Sequence, residues 1–81
     1  INGHINSIKY IEHILDLFSR EQMERGIRRF EIAYKAESYM GDTLSFYIQP
    51  VSDTEVDIEV RKNMTEENPG DVVCQAKVRF N

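Results

Sequence analysis

A chain of 81 residues is one domain or part of one, and at this size it buries only about 60–65% of its unfolded surface, so its core is thin. A formal charge of −4 with no Lys/Arg-rich block argues against nucleic acid, whose phosphates need a basic face. No apolar run reaches the length of a membrane span. Apolar content of 41% beside 30% charged residues is that of a globular protein rather than a disordered one. Cys74 is the one cysteine, which excludes an intramolecular disulfide and makes the reducing cytoplasm the expected compartment.

The predicted elements begin with a helix. From Ile5 to Phe18 the apolar residues Ile5, Ile8, Ile11, Ile14, Leu15, Leu17 and Phe18 fall mostly three and four apart, with Lys9, Glu12 and Asp16 between them. That spacing predicts an amphipathic helix of roughly three or four turns, capped by Asn6 or Ser7. Ser19 and Gln22 form a capping-box pattern for a second, short helix, and Gly26 is its expected stop.

After Gly26 the period falls from 3.6 to 2. Phe30, Ile32, Tyr34 and Ala36 share one face of a predicted strand, with Arg29, Glu31, Lys35 and Glu37 on the other. Leu44, Phe46 and Ile48 align after a Gly41-Asp42 turn. Val56, Ile58 and Val60 align next, and then Val72, Cys74, Ala76, Val78 and Phe80. Four half-buried antiparallel strands are expected, joined by turns at "SDT" and "NMTEENPGD". One long helix laid across the apolar face of such a sheet is an α+β layout, and a helix wrapped by an antiparallel sheet is the hotdog architecture. That fold ordinarily has a strand before the helix. Its lack here, with a chain that opens at Ile1 inside a motif, leads to the expectation of a piece cut from a longer protein.

The opening "NGHINSIKYIEHILD" places Asn2, His4 and Asn6 at alternate positions just before the helix. It resembles the Asn-x-His-x-Asn helix-entry motif of the acyl-carrier-protein (ACP) thioesterases, in which Lys-Tyr-Ile follows as Lys9, Tyr10 and Ile11 do here. "IAYKAESYMGDTL" resembles the same family's strand with its Tyr-basic-x-Glu segment. The resemblance implies two tandem hotdog domains, of which residues 1–81 are the C-terminal one, supplying the catalytic side chains and pairing with an N-terminal hotdog domain. It implies catalytic positions at Asn2, His4 and Glu37, and a substrate of fatty acyl-ACP. An aspartate of the family pattern would fall just before Ile1, and a cysteine discussed as a nucleophile aligns with Ser38, a hydroxyl here.

Thioester hydrolysis needs a water activated by a base and donors aimed at the developing oxyanion. A partly desolvated carboxylate at Glu37, at the end of an apolar strand, is suited to be that base. Asn2 and His4, two apart, point the same way in an extended segment and can orient the water or polarise the carbonyl. Backbone N–H groups at the helix start add positive potential. Either His4 or Glu37 can be the main base. Neither a metal nor an organic cofactor is expected: water is the co-substrate, and His4, Glu37 and Glu31 have no second histidine at ligand spacing.

Blander accounts exist for each residue. Asn2 and His4 also suit plain helix capping, Glu37 a solvated acid, His13 a surface position and Cys74 a small core residue. Tyr34, Phe30 and Phe46 suit the core, bordering an acyl channel if the fold is a hotdog. Arg25, Arg28 and Arg29 are the one basic cluster, either a solvated helix-to-strand corner or a docking patch for acidic ACP. The competing function is a non-catalytic hotdog module for acyl binding or oligomerisation, including a homodimer through an unpaired sheet edge. Hydration of an acyl thioester is a weaker third.

Overall fold

The computed structural model describes residues 7–81. Ser7–Asp16 form α1 and Arg20–Arg25 form α2, followed by β1 (Ile27–Tyr34), β2 (Leu44–Ser52), β3 (Glu55–Lys62) and β4 (Asp71–Phe80). The strands make one antiparallel sheet in the order β1-β4-β3-β2, the four strands that alternation predicts.

The helical part differs from expectation. No long central helix is present among the described residues: α1 runs for 10 residues and ends at Asp16. Leu17 and Phe18 donate their amides to the carbonyls three residues back, Ile14 at 3.1 Å and Leu15 at 3.2 Å, which tightens the last turn. Ser19 then takes an extended conformation and starts α2. Its hydroxyl accepts from the Gln22 amide at 3.1 Å, and its own amide donates to Gln22 Oε1 at 2.9 Å. This reciprocal box satisfies two orphan donors and competes with continuation of α1. Gly26 ends α2 at φ +82°, a conformation that side chains with a Cβ rarely adopt.

The buried stripe of α1 is Tyr10 and Ile14, at i and i+4, and Phe18 in the tightened turn that follows extends it. Ile8, expected on the apolar face, is 62% exposed. Phe18 meets Phe80 edge-on with ring centroids 5.1 Å apart, while Tyr10 lies 6.0 Å from Tyr34. On the sheet, Val56, Ile58, Val60, Cys74, Ala76, Val78 and Phe80 complete the core with Val73. Phe30, Ile32, Leu44 and Phe46 pack around it. Each Val, Ile or Phe side chain that is fully buried here is worth about 1.5–3 kcal/mol. At the β2 edge Ile48 is left 41% exposed. Pro50 is tolerated there because β2 is an edge strand.

A bulge shapes the site end of the sheet. Val60 pairs with Cys74 but Arg61 pairs with Val72, so Val73 is an extra residue on β4. Val73 and Cys74 are both fully buried, against the alternation of the strand. The Val73 carbonyl accepts the amides of Lys35 at 2.7 Å and Ala36 at 3.2 Å. The chain leaving β1 is thus turned at a defined point, immediately before Glu37.

Candidate active site

Of the three residues singled out from sequence, Asn2 and His4 lie outside the described residues, and Glu37 is described. Glu37 sits in the loop between β1 and β2. Its side chain is exposed, so the desolvation expected at this position is not what its surroundings provide. What they provide is fixation.

Ser38, between Glu37 and Tyr39, is 1% exposed. Its hydroxyl is hydrogen-bonded to the hydroxyl of Tyr10 on α1. With Ser38 anchored inward, Glu37 and Tyr39 both project outward. The Tyr39 hydroxyl donates to Glu37 Oε2 at 3.1 Å. Lys62, at the end of β3, donates from Nζ to the Glu37 main-chain carbonyl at 2.5 Å, and the same ammonium stands 6.0 Å from the centroid of the Tyr39 ring.

A second set of bonds holds Tyr39. Its amide donates to Asp42 Oδ2 at 2.9 Å, and its carbonyl accepts from the Asp42 amide at 3.0 Å. The third residue of this turn is Gly41 at φ +99°, where a type II turn calls for glycine. Asn63 closes the assembly. Its Nδ2 donates to Asp42 Oδ1 at 3.1 Å, and its Oδ1 accepts the Thr43 amide at 3.1 Å. Asn63 is left-handed at φ +55°, a region asparagine visits more readily than most side chains. Two donors hold the Asp42 carboxyl below the usual carboxylate range: the bond from the Asn63 side chain is the largest cause, then that from the Tyr39 backbone amide. The Tyr39 phenol is pushed above its ordinary value, because its proton is held by the Glu37 carboxylate and a phenolate would face that negative charge.

Sequence inspection missed Tyr39, Asp42, Asn63 and Lys62. Tyr39 has a local signal, two residues from Glu37 in an extended segment. Asn63 and Lys62 have none, since they reach the loop only through the pairing of β2 with β3.

The other candidates take structural places. Arg25 donates to the carbonyls of Asn81 at 2.9 Å and Asp53 at 3.1 Å. Arg29 pairs with Glu31 at 2.7 Å. His13 is exposed, its ring 5.8 Å from that of Phe46. Cys74 is fully buried, and desolvation pushes its thiol up to about 11. A trough of about 570 Å³ lies elsewhere, across rows that include Glu31, Lys77, Asp57 and Gln49. Asp57 Oδ1 is buried there without a hydrogen-bond partner. Among the described residues no three His, Cys, Asp or Glu side chains gather as a metal site requires, and no helix is long and apolar enough to cross a membrane.

Comparison with known proteins adds the family. Residues 1–81 match the acyl-ACP thioesterase C-terminal domain. The chain is also similar to the crystal structure of an acyl-ACP thioesterase from Bacteroides thetaiotaomicron, with 56% sequence identity and a TM-score of 0.89. That similarity covers 100% of this chain and 32% of the other, so the chain spans about a third of its relative. No curated protein matches. With an α+β domain of antiparallel sheet and short helices, a Tyr-basic-x-Glu segment that runs from the end of β1 into the loop, and a match over its whole length, the chain belongs to the acyl-ACP thioesterase family.

Proposed function

We propose that residues 1–81 are the C-terminal hotdog domain of a tandem-hotdog enzyme that hydrolyses fatty acyl-ACP to free fatty acid in the cytoplasm. The observation that carries this reading is the match to the thioesterase C-terminal domain along the entire chain. An N-terminal hotdog domain is its partner within the enzyme, and the acyl-loaded carrier is its substrate.

Glu37 takes a proton from water as the water oxygen attacks the thioester carbonyl carbon. Asn2 and His4 orient that water or polarise the carbonyl. The C–S bond breaks as the tetrahedral intermediate collapses. The carrier's sulfur leaves as a thiol, taking back the proton that Glu37 accepted, so the carboxylate is regenerated and the acid is released. The chemistry needs a base held at a defined position, and the loop around Glu37 supports that: its carbonyl is tied to Lys62 and its carboxylate to Tyr39.

The test is hydrolysis of a long-chain acyl-ACP by this domain joined to its upstream partner domain, beside the Glu37→Gln variant. A fall of roughly 10²–10⁴-fold in kcat is expected. Unchanged turnover in the variant would remove Glu37 from the mechanism, and a folded wild type with no hydrolysis would remove the enzyme. In that last case the outer edge of β2, unpaired among the described residues, favours a module that pairs through its sheet, and sedimentation at several concentrations would detect the pair.

A further inference from the structure

We infer that Tyr39 is a positioning residue for Glu37, its hydroxyl holding the carboxylate in one orientation for attack on the thioester; this rests on Glu37 being the base. An exposed glutamate has three side-chain torsions and wanders among rotamers, and each conformer that points away from the substrate is an unproductive one. In this loop the wandering is restrained at both ends. The Glu37 backbone is tied by Lys62 Nζ at 2.5 Å, and Oε2 accepts the Tyr39 hydroxyl at 3.1 Å.

Tyr39 is itself over-determined, as a positioning group has to be. Its amide and carbonyl are both bonded to Asp42, Asp42 is bonded to Asn63, and its ring lies beneath the Lys62 ammonium. The buried Ser38 between the two residues keeps both on the same outward side. A phenol suits the task. It donates one directed bond, brings no charge that would neutralise the base, and keeps its proton across the working range because the Glu37 carboxylate pushes its titration upward.

The experiment compares Tyr39→Phe, Glu37→Gln and the double variant in the domain joined to its upstream partner. The readouts are kcat and KM for a long-chain acyl-ACP and Tm. Tyr39→Phe keeps the ring and removes only the hydroxyl. The expected result is a roughly 10-fold lower kcat with KM and Tm unchanged, and no further loss when the change is added to Glu37→Gln. A wild-type kcat for Tyr39→Phe beside a crippled Glu37→Gln overturns the positioning role alone. So does a kcat that falls only together with Tm, or a full loss that persists in the Glu37→Gln background. A wild-type kcat for Glu37→Gln overturns the base assignment and this inference with it.

Discussion

The hydroxyls of Tyr10 and Ser38 are hydrogen-bonded across 28 positions of sequence, joining the first helix to the loop that carries Glu37. Both side chains are almost wholly buried, and Ser38 is the one buried polar residue of the described chain. The bond therefore does two things: it satisfies groups that water cannot reach, and it sets the distance between α1 and the Glu37 loop. Removing one partner strands the other. Tyr10→Phe or Ser38→Ala is expected to cost about 1–3 kcal/mol. The double change costs less than the sum, because no hydroxyl is then left unpaired. Urea unfolding of the three variants measures both quantities. Strict additivity would mean that the two groups do not interact.

The turn around Asp42 makes the loop sensitive to acid. The Asn63 amide and the Tyr39 amide favour the carboxylate, so the folded chain ionises Asp42 at lower pH than the unfolded chain does. A depressed folded value contributes stability that is present above the unfolded value and lost as pH falls through the folded one. Asp42→Asn is expected to lower Tm at neutral pH and to flatten its decline toward acid. A parallel acid decline in wild type and variant would assign the acid sensitivity elsewhere.

Tyr39 reports the state of Glu37 by its own titration. Accepting the phenolic proton's bond and repelling the phenolate both push Tyr39 upward. Glu37→Gln removes the charge, so the phenol is expected to titrate at lower pH in that variant than in wild type. Tyrosine ring shifts followed by NMR through alkaline pH give the comparison. Coincident curves would mean that the two side chains do not meet in solution.

Cys74 is fully buried in the core, its thiol pushed up to about 11 by desolvation. A raised folded value for a group that is neutral when protonated leaves stability intact at neutral pH. Stability is then lost as pH climbs past the unfolded thiol value, because only the unfolded chain gives up the proton there. Thiol reagents are expected to label Cys74 at the rate of unfolding, and Cys74→Ala to weaken the alkaline loss of Tm. Rapid labelling of the folded chain would contradict the burial.

Gly70 stands at φ +69°, where a Cβ would overlap the carbonyl oxygen of Lys62. Gly70→Ala is expected to destabilise by more than about 1 kcal/mol, since both the conformation and the space exclude the methyl group. The overlap falls on the residue whose ammonium holds the Glu37 carbonyl. Under the mechanism proposed for Glu37, hydrolysis by the domain joined to its upstream partner is expected to fall at temperatures where the variant is still folded, measured beside its thermal midpoint.

How much of this was legible before folding depends on the range of the forces involved. Val56, Ile58 and Val60 alternate because strand side chains repeat with a period of two and one face of this sheet meets the core. The Ser19–Gln22 box and the Gly26 stop are contacts within four residues, so composition and spacing were enough to find them. Glu37 stood out through its motif. Other features needed the folded chain. Val73 is buried because a bulge reverses the parity of β4, which no period-two pattern contains. Tyr10 rather than Ile8 lines the core, because residues two apart on a helix face nearly opposite ways and only packing against the sheet decides which face is covered. Lys62 and Asn63 reach the Glu37 loop because β3 runs antiparallel to β2 and ends beside it. Periodicity records how one element meets water and core, whereas the placement of the Glu37 loop is a contact between elements and exists only once they are packed.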